Sequence, residues 1–570
     1  MKRLISFAAL FSLAAISLSA CSAADSVVPN SHISIAEVGS ISTLNSDVNS
    51  AGANKIASDV AALTTQNFYE VDKSGQLVAN TTFGSVKVTK QSPFTVTYTL
   101  GKSAVWSDGS KLDATDLVLA VAASKDEYFN STHFGSSLST SKIVGSPKAG
   151  DSSLTLQFDQ PIADWKTVLD VAVPAHIVGK VAGIGGNVAA VRAGVMSAVS
   201  EMKQEVLADL AKAYTSAFTA SASVDNFLTN GAYSIKSISA DKLVLKAERD
   251  FTGLHSGIAE TVNILVSQDN ATAFKQVGAG KVDLFSPQVT LNEPQADLVS
   301  QSQSLNTKTV TVVAPGSNLV DQFVVNLSAG SLADSTYRDP KTAGILRQAF
   351  MNIVPKSRAI DFASMIQTVS KADSFVYSSS SKNYSAVAGS NGSTNFVLQD
   401  TEKASELIAG LKLGFKPNIR VLFDSDNPAS VAEWTLLSDH AATSGFRLTN
   451  VSSSDPSEKL ATGLYDVYLG TQPLLGVGTG SIQVLANGPA KMPMETYNEL
   501  AKDVFAANDK NLGVALQALD KKLFELGYGL PMYQVPTLLV YNNRVQGLMA
   551  DPFGSNSTWG YWTWHVSADK

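Results

Sequence analysis

The chain is short of cysteine, of charge and of long apolar runs, and each shortage removes a class of function. Cys21 is the only cysteine in 570 residues, so no intrachain disulfide, thiolate zinc site or paired-thiol redox centre can form. Charged residues are 16% of the sequence, against about 25% in ordinary globular domains. Lys and Arg number 43 against 50 Asp and Glu, a net charge of −7, and no basic block exceeds two residues. The electrostatic footprint of a nucleic-acid binder is missing, and DNA and RNA are excluded as partners. After Ala20 no segment offers the roughly 20 predominantly apolar residues that a membrane span requires.

Motifs for chemistry are equally sparse. His32, His133, His176, His255, His440 and His565 contain no H-x-x-x-H pair, so neither a metal nor any other cofactor is expected. Gly101-Lys102-Ser103 has Val96 where a phosphate loop needs glycine. No G-x-S-x-G elbow occurs, and Gly476, Gly478 and Gly480 lie in an expected loop rather than between a strand and a helix. The chain is not expected to be an enzyme.

What is present begins at the amino end. Lys2 and Arg3 precede an apolar, serine-broken run from Leu4 to Ala20, the shape of a secretory signal. Leu18-Ser19-Ala20-Cys21 resembles the bacterial lipobox, which implies cleavage after Ala20 and diacylglycerol on Cys21. Two acyl chains hold a protein on a membrane where one is marginal. Residues 21–32 are small and polar and read as a tether, with the fold beginning near Ile33.

The 44% hydrophobic content and the length predict a large globular core. Phe94, Val96, Tyr98 and Leu100 alternate with threonines as a strand, and Asp113 then caps a helix with Asp116 in its first turn. Residues 188–220 are Ala-rich and free of proline, predicting one long or two shorter helices. Ile419 to Phe423, a helix opened by Asn427-Pro428 and ended at Gly445, and Phe446 to Val451 form a strand-helix-strand unit of a parallel α/β sheet. Asp339-Pro340 opens another helix, and residues 377–395 read as a surface loop. Trp106 stands on an Asp108-Gly109 turn, and Trp562 and Trp564 are expected to share the core face of a terminal strand.

The stretch Phe94–Val118 (FTVTYTLGKSAVWSDGSKLDATDLV) resembles the signature of the family 5 extracellular solute-binding proteins, the peptide and nickel receptors of ABC importers. Thr229-Asn230-Gly231-Ala232-Tyr233, Lys246–Phe251, Ala279–Asp283, Asn326 with Arg338–Ile360, Leu530–Tyr533 and Arg544–Gly547 resemble further family elements in the same order.

The resemblance implies an α/β, two-lobed periplasmic-binding-protein-like fold. Lobe I would span residues 33–318, with an inserted subdomain at about 50–180 and the helical segment 188–220. Lobe II would span 319–524, and 525–570 would return to lobe I. It also implies a monomeric, lipid-anchored receptor on the outer face of a Gram-positive cell. Such a receptor captures a peptide or small polar solute and delivers it to an ABC permease and ATPase. The expected ligand contacts are Asn326, Gly470, Thr471 and Gln472, with Asp283 structural. Oligopeptide receptors commonly hold the ligand's amine on an acid near a Gly-Trp stretch, whereas Thr471-Gln472-Pro473-Leu474 contains neither. A surface lipoprotein of the same fold, used for sensing, adhesion or chaperone-like contact, is the alternative.

Overall fold

A computed structural model describes residues 27–48, 54–72, 76–133, 136–287, 300, 305, 309–313, 318–365, 369–441, 443–477, 482–507, 510–535, 538–549 and 557–566. The signal sequence and Cys21 lie outside the described residues. The described chain folds around two large sheets, with a four-stranded and a two-stranded sheet besides. The first has seven strands, in the order Val310–Val313, Leu539–Asn542, Leu284–Phe285, Val28–Val38, Ala259–Ser267, Lys242–Ala247 and Tyr233–Ile238. The second has six, in the order Ser370–Lys371, Gly529–Val535, Leu319–Val325, Val467–Pro473, Asn418–Leu422 and Arg447–Asn450. No helix of the described residues is long and apolar enough to cross a membrane.

Local signals produced the elements expected of them. Phe94–Leu100 is the second strand of a four-stranded antiparallel sheet, with Val96 and Tyr98 fully buried. Asp113 caps the helix Ala114–Lys125 in a reciprocal box with Asp116, which satisfies amides that helix geometry leaves unpaired. Trp106 plugs this subdomain's core, and Gly109, at φ +84°, makes the bend beneath it. Asn418–Leu422 and Arg447–Asn450 pair in parallel about the helix Pro428–Ala441. Residues 188–220 form two helices, Val188–Ser200 and Gln204–Ser216, which share a buried cluster with Leu119 and Ala123.

Three boundaries differ from the sequence reading. The first strand starts at Val28, because Val28 and His32 already pair with Ala259 and Thr261. Residues 377–395 contain a short helix, Tyr384–Ala388, seated on the core by Val387. The return to the first sheet comes after 525: Gly529–Val535 still belongs to the second sheet, and Leu539–Asn542 is the first strand to rejoin the first. Asp283 is structural as expected, accepting from the Ser34 amide and held by Arg544 through Nε and a terminal nitrogen at 2.6 Å each.

Candidate ligand cleft

The chain passes between the two sheets by two neighbouring crossings. Val313 pairs with Leu539 on the first sheet, and Leu319 pairs with Val535 on the second. The two crossings therefore start and end side by side on both sheets, the placement of a hinge between lobes, while residues 314–317 and 536–537 themselves lie outside the described residues. The ends of three strands of the second sheet converge beside it, because Leu319 is also in register with Pro473.

That convergence places Gly470, Thr471 and Gln472 next to the hinge. Thr471 is exposed, and Gln472 is half-buried with its amide on the Thr471 carbonyl at 2.7 Å. Gly470 is buried, and the space its missing side chain leaves holds the Tyr468 phenol: a Cβ would sit 2.5 Å from that hydroxyl oxygen. The glycine therefore makes room for a neighbouring tyrosine rather than for a ligand. Asn326 departs further from expectation. It lies seven residues along its strand from Leu319, about 23 Å from the hinge at strand rise, and is 0% exposed. Its amide donates to the carbonyls of Gly463 and Tyr465, and its oxygen accepts from the Ser328 and Ala329 amides. Its capacity is spent inside the lobe.

Beneath Thr471 lies a buried acidic pair. The Tyr533 hydroxyl stands 3.0 Å from Asp321 Oδ2 and 2.8 Å from Glu433 Oε1. Asp321 Oδ1 and Glu433 Oε2 have no partner among the described residues. Burial raises both carboxyls, Asp321 up to about 6 and Glu433 well above its ordinary value, where the nearby Asp321 charge adds to burial.

A second buried polar cluster lies in the first lobe. His133 Nε2 stands 3.1 Å from Asp170 and 3.7 Å from Asp47. Burial works against a charge there, but the two carboxylates prevail and hold His133 protonated up to about 10. Asp47 is further fixed by the hydroxyls of Tyr214, Ser131 and Thr132. Asp164 takes the Ser137 hydroxyl at 3.0 Å, leaves its other oxygen unpartnered, and is pushed by burial up to about 6. The two lobes touch directly: the Ala163 amide donates to Asn498 Oδ1 at 3.0 Å, Ser137 meets Met494 Sδ at 3.2 Å, and Gln483 donates to Thr167. The seam thus joins neutral amides, hydroxyls and a thioether of the two halves. Among the described residues no group of three or more His, Cys, Asp or Glu is placed to hold a metal ion.

Sequence reading missed this seam because its members come from segments far apart in the chain. Asp321 alone left a trace, as a carboxylate inside the apolar strand LVDQFVV.

Two α/β lobes joined by paired crossings, with polar walls opposed across the gap, define a hinged solute-binding receptor. The chain matches the family described as bacterial extracellular solute-binding proteins, family 5 middle, over residues 87–472, and it belongs to that family. A relative named uncharacterized lipoprotein ML0489, from Mycobacterium leprae (strain TN), is 22% identical over 537 residues, covering 90% of this chain and 88% of its own. Among solved structures, AgaA from A. tumefacien R10 in complex with agropinic acid superposes with a TM-score of 0.63 at 15% identity, covering 94% of this chain and 99% of its own. The oligopeptide-binding protein AppA from Bacillus subtilis, in complex with a nonapeptide, gives 0.58 at 14% identity, covering 94% and 99%.

Proposed function

We propose that this protein is the lipid-anchored receptor of an ABC importer, holding an oligopeptide or similar polar solute between its lobes and passing it to a permease and ATPase. The observation that carries this reading is the hinge of paired crossings, with polar groups of the two lobes in contact. A ligand that touches both walls binds the closed form better than the open one, and only such a difference drives closure. Neutral donors and acceptors at Thr471, Gln472, Gln483 and Asn498 suit main-chain amides of an extended ligand. Cys21 supplies the anchor, in keeping with the lipoprotein relative, and the site is exported to the outer face of a Gram-positive membrane.

The test is thermal unfolding of the detergent-solubilised full chain with a peptide pool. It is paired with the distance between spin labels at Asp241 and Lys521, one on each lobe, in a Cys21→Ser background. Stabilisation together with a shortened distance is expected. No shift with peptide, amino-acid or oligosaccharide pools defeats the reading.

A further inference from the structure

The first lobe holds a second cavity, of about 380 Å³, over the outer side of the helix Asn54–Thr64. Its walls come from the first lobe and its subdomain alone, and they include part of the tryptophan cluster near the carboxyl end. Those tryptophans do not sit on a terminal strand: Tyr561–Thr563 is a 3₁₀ turn, which sends them in different directions. Trp564 is 0% exposed in the core, whereas Trp559 and Trp562 are half-buried and line the cavity.

The wall chemistry is aromatic and acidic. Trp562 lies 5.3 Å from Trp559, edge to face at 73°, and carries His255 stacked on its ring at 3.8 Å and 9°. Glu70 Oε1 accepts from Asn80 at 3.0 Å, while Oε2 has only His255 Nε2, 3.6 Å away and beyond hydrogen-bond reach. Burial drives Glu70 up to about 7 and His255 down to about 4, so the imidazole stays neutral and brings no counter-charge. Asp170, also in the wall, already has His133. One oxygen of the Glu70 carboxyl is therefore left without a cation beside two indole rings, and a bound cation would draw that carboxyl into its charged form.

We propose that this cavity binds a compact organic cation of the quaternary-ammonium class, its charge set against Glu70 and its methyl groups against Trp559 and Trp562. Indole faces attract cations through their quadrupole, most strongly where water is displaced. A primary ammonium would need several acceptors aimed at its three N–H groups, whereas a quaternary ammonium needs none. A bare metal ion finds no set of three acidic or imidazole ligands among the described residues.

The test titrates choline into the detergent-solubilised full chain by calorimetry and tryptophan fluorescence, with 3,3-dimethylbutan-1-ol as the neutral isostere. Saturable binding of choline with quenching is expected, with the isostere at least tenfold weaker. Glu70→Gln should weaken choline at least tenfold, and Trp562→Leu should both weaken it and remove the quenching. Because every wall residue is in the first lobe, the label distance between Asp241 and Lys521 should not change, which separates this site from the cleft. The proposal is overturned if the isostere binds as well as choline, if Glu70→Gln binds choline like the parent, or if choline shortens the inter-lobe distance.

Discussion

Tyr533 has one hydroxyl proton and two carboxyl groups within reach, Asp321 at 3.0 Å and Glu433 at 2.8 Å. One hydrogen serves one acceptor at full strength, and burial of two neighbouring acids favours their protonated forms. Both folded-state pKa values exceed those of the unfolded chain. The stability associated with the bound protons is therefore complete below the unfolded value near 4 and is lost as pH rises through about 6. For Asp321 a rise of about two pKa units corresponds to roughly 3 kcal/mol. Asp321→Asn keeps an acceptor for Tyr533 and removes the titration. At about pH 4 the variant should match the parent within about 1 kcal/mol. At about pH 7.5 it should be the more stable by roughly 3 kcal/mol, or on the order of 6–12 °C in Tm for a lobe of this size. Scanning calorimetry at the two pH values measures this directly. Equal differences at both, or a less stable variant at about pH 7.5, would refute the raised Asp321 pKa. Tyr533→Phe should lose roughly 1.5–3 kcal/mol at about pH 7.5, the worth of a hydrogen bond to a charged group.

Further outcomes follow from other contacts. Asp283→Asn breaks the paired contact with Arg544 and weakens acceptance from the Ser34 amide, and should destabilise the first lobe by about 3–5 kcal/mol in urea unfolding. Gly470→Ala sets a methyl group against the Tyr468 ring and hydroxyl and should destabilise the second lobe by roughly 1–3 kcal/mol in urea unfolding. Gly547→Ala meets both a left-handed φ of +73° and the Thr563 carbonyl at 1.9 Å, and should destabilise by more than about 2 kcal/mol in the same urea assay. Cys21→Ser should move the protein from the membrane fraction to the medium of a Gram-positive host, and retention would remove the anchor from the proposal.

Among the ligand contacts read from sequence, the structure brings Gly470, Thr471 and Gln472 to the hinge and puts Asn326 at the far end of its strand. Strand order alone could not distinguish these ends. An asparagine that closes a turn and one that faces a ligand carry the same sequence signal, and only burial together with four satisfied contacts separates them. The tryptophan cluster shows the same limit, since one 3₁₀ turn decides which ring enters the core and which lines a cavity.

By itself, the sequence determined whatever residues a few positions apart can decide. Asp113 and Asp339 cap their helices, the threonine alternation makes a strand, Gly109 makes a bend, and a series of such elements in order marks the family. These rest on hydrogen bonds and side-chain periods that close within a turn or a pleat. The tertiary structure alone decided where the chain changes sheets and which charges meet. Tyr533 joins Asp321 across 212 residues and Glu433 across 100. The raised pKa of both acids arises first from desolvation, a property of the assembled lobe that no local pattern encodes.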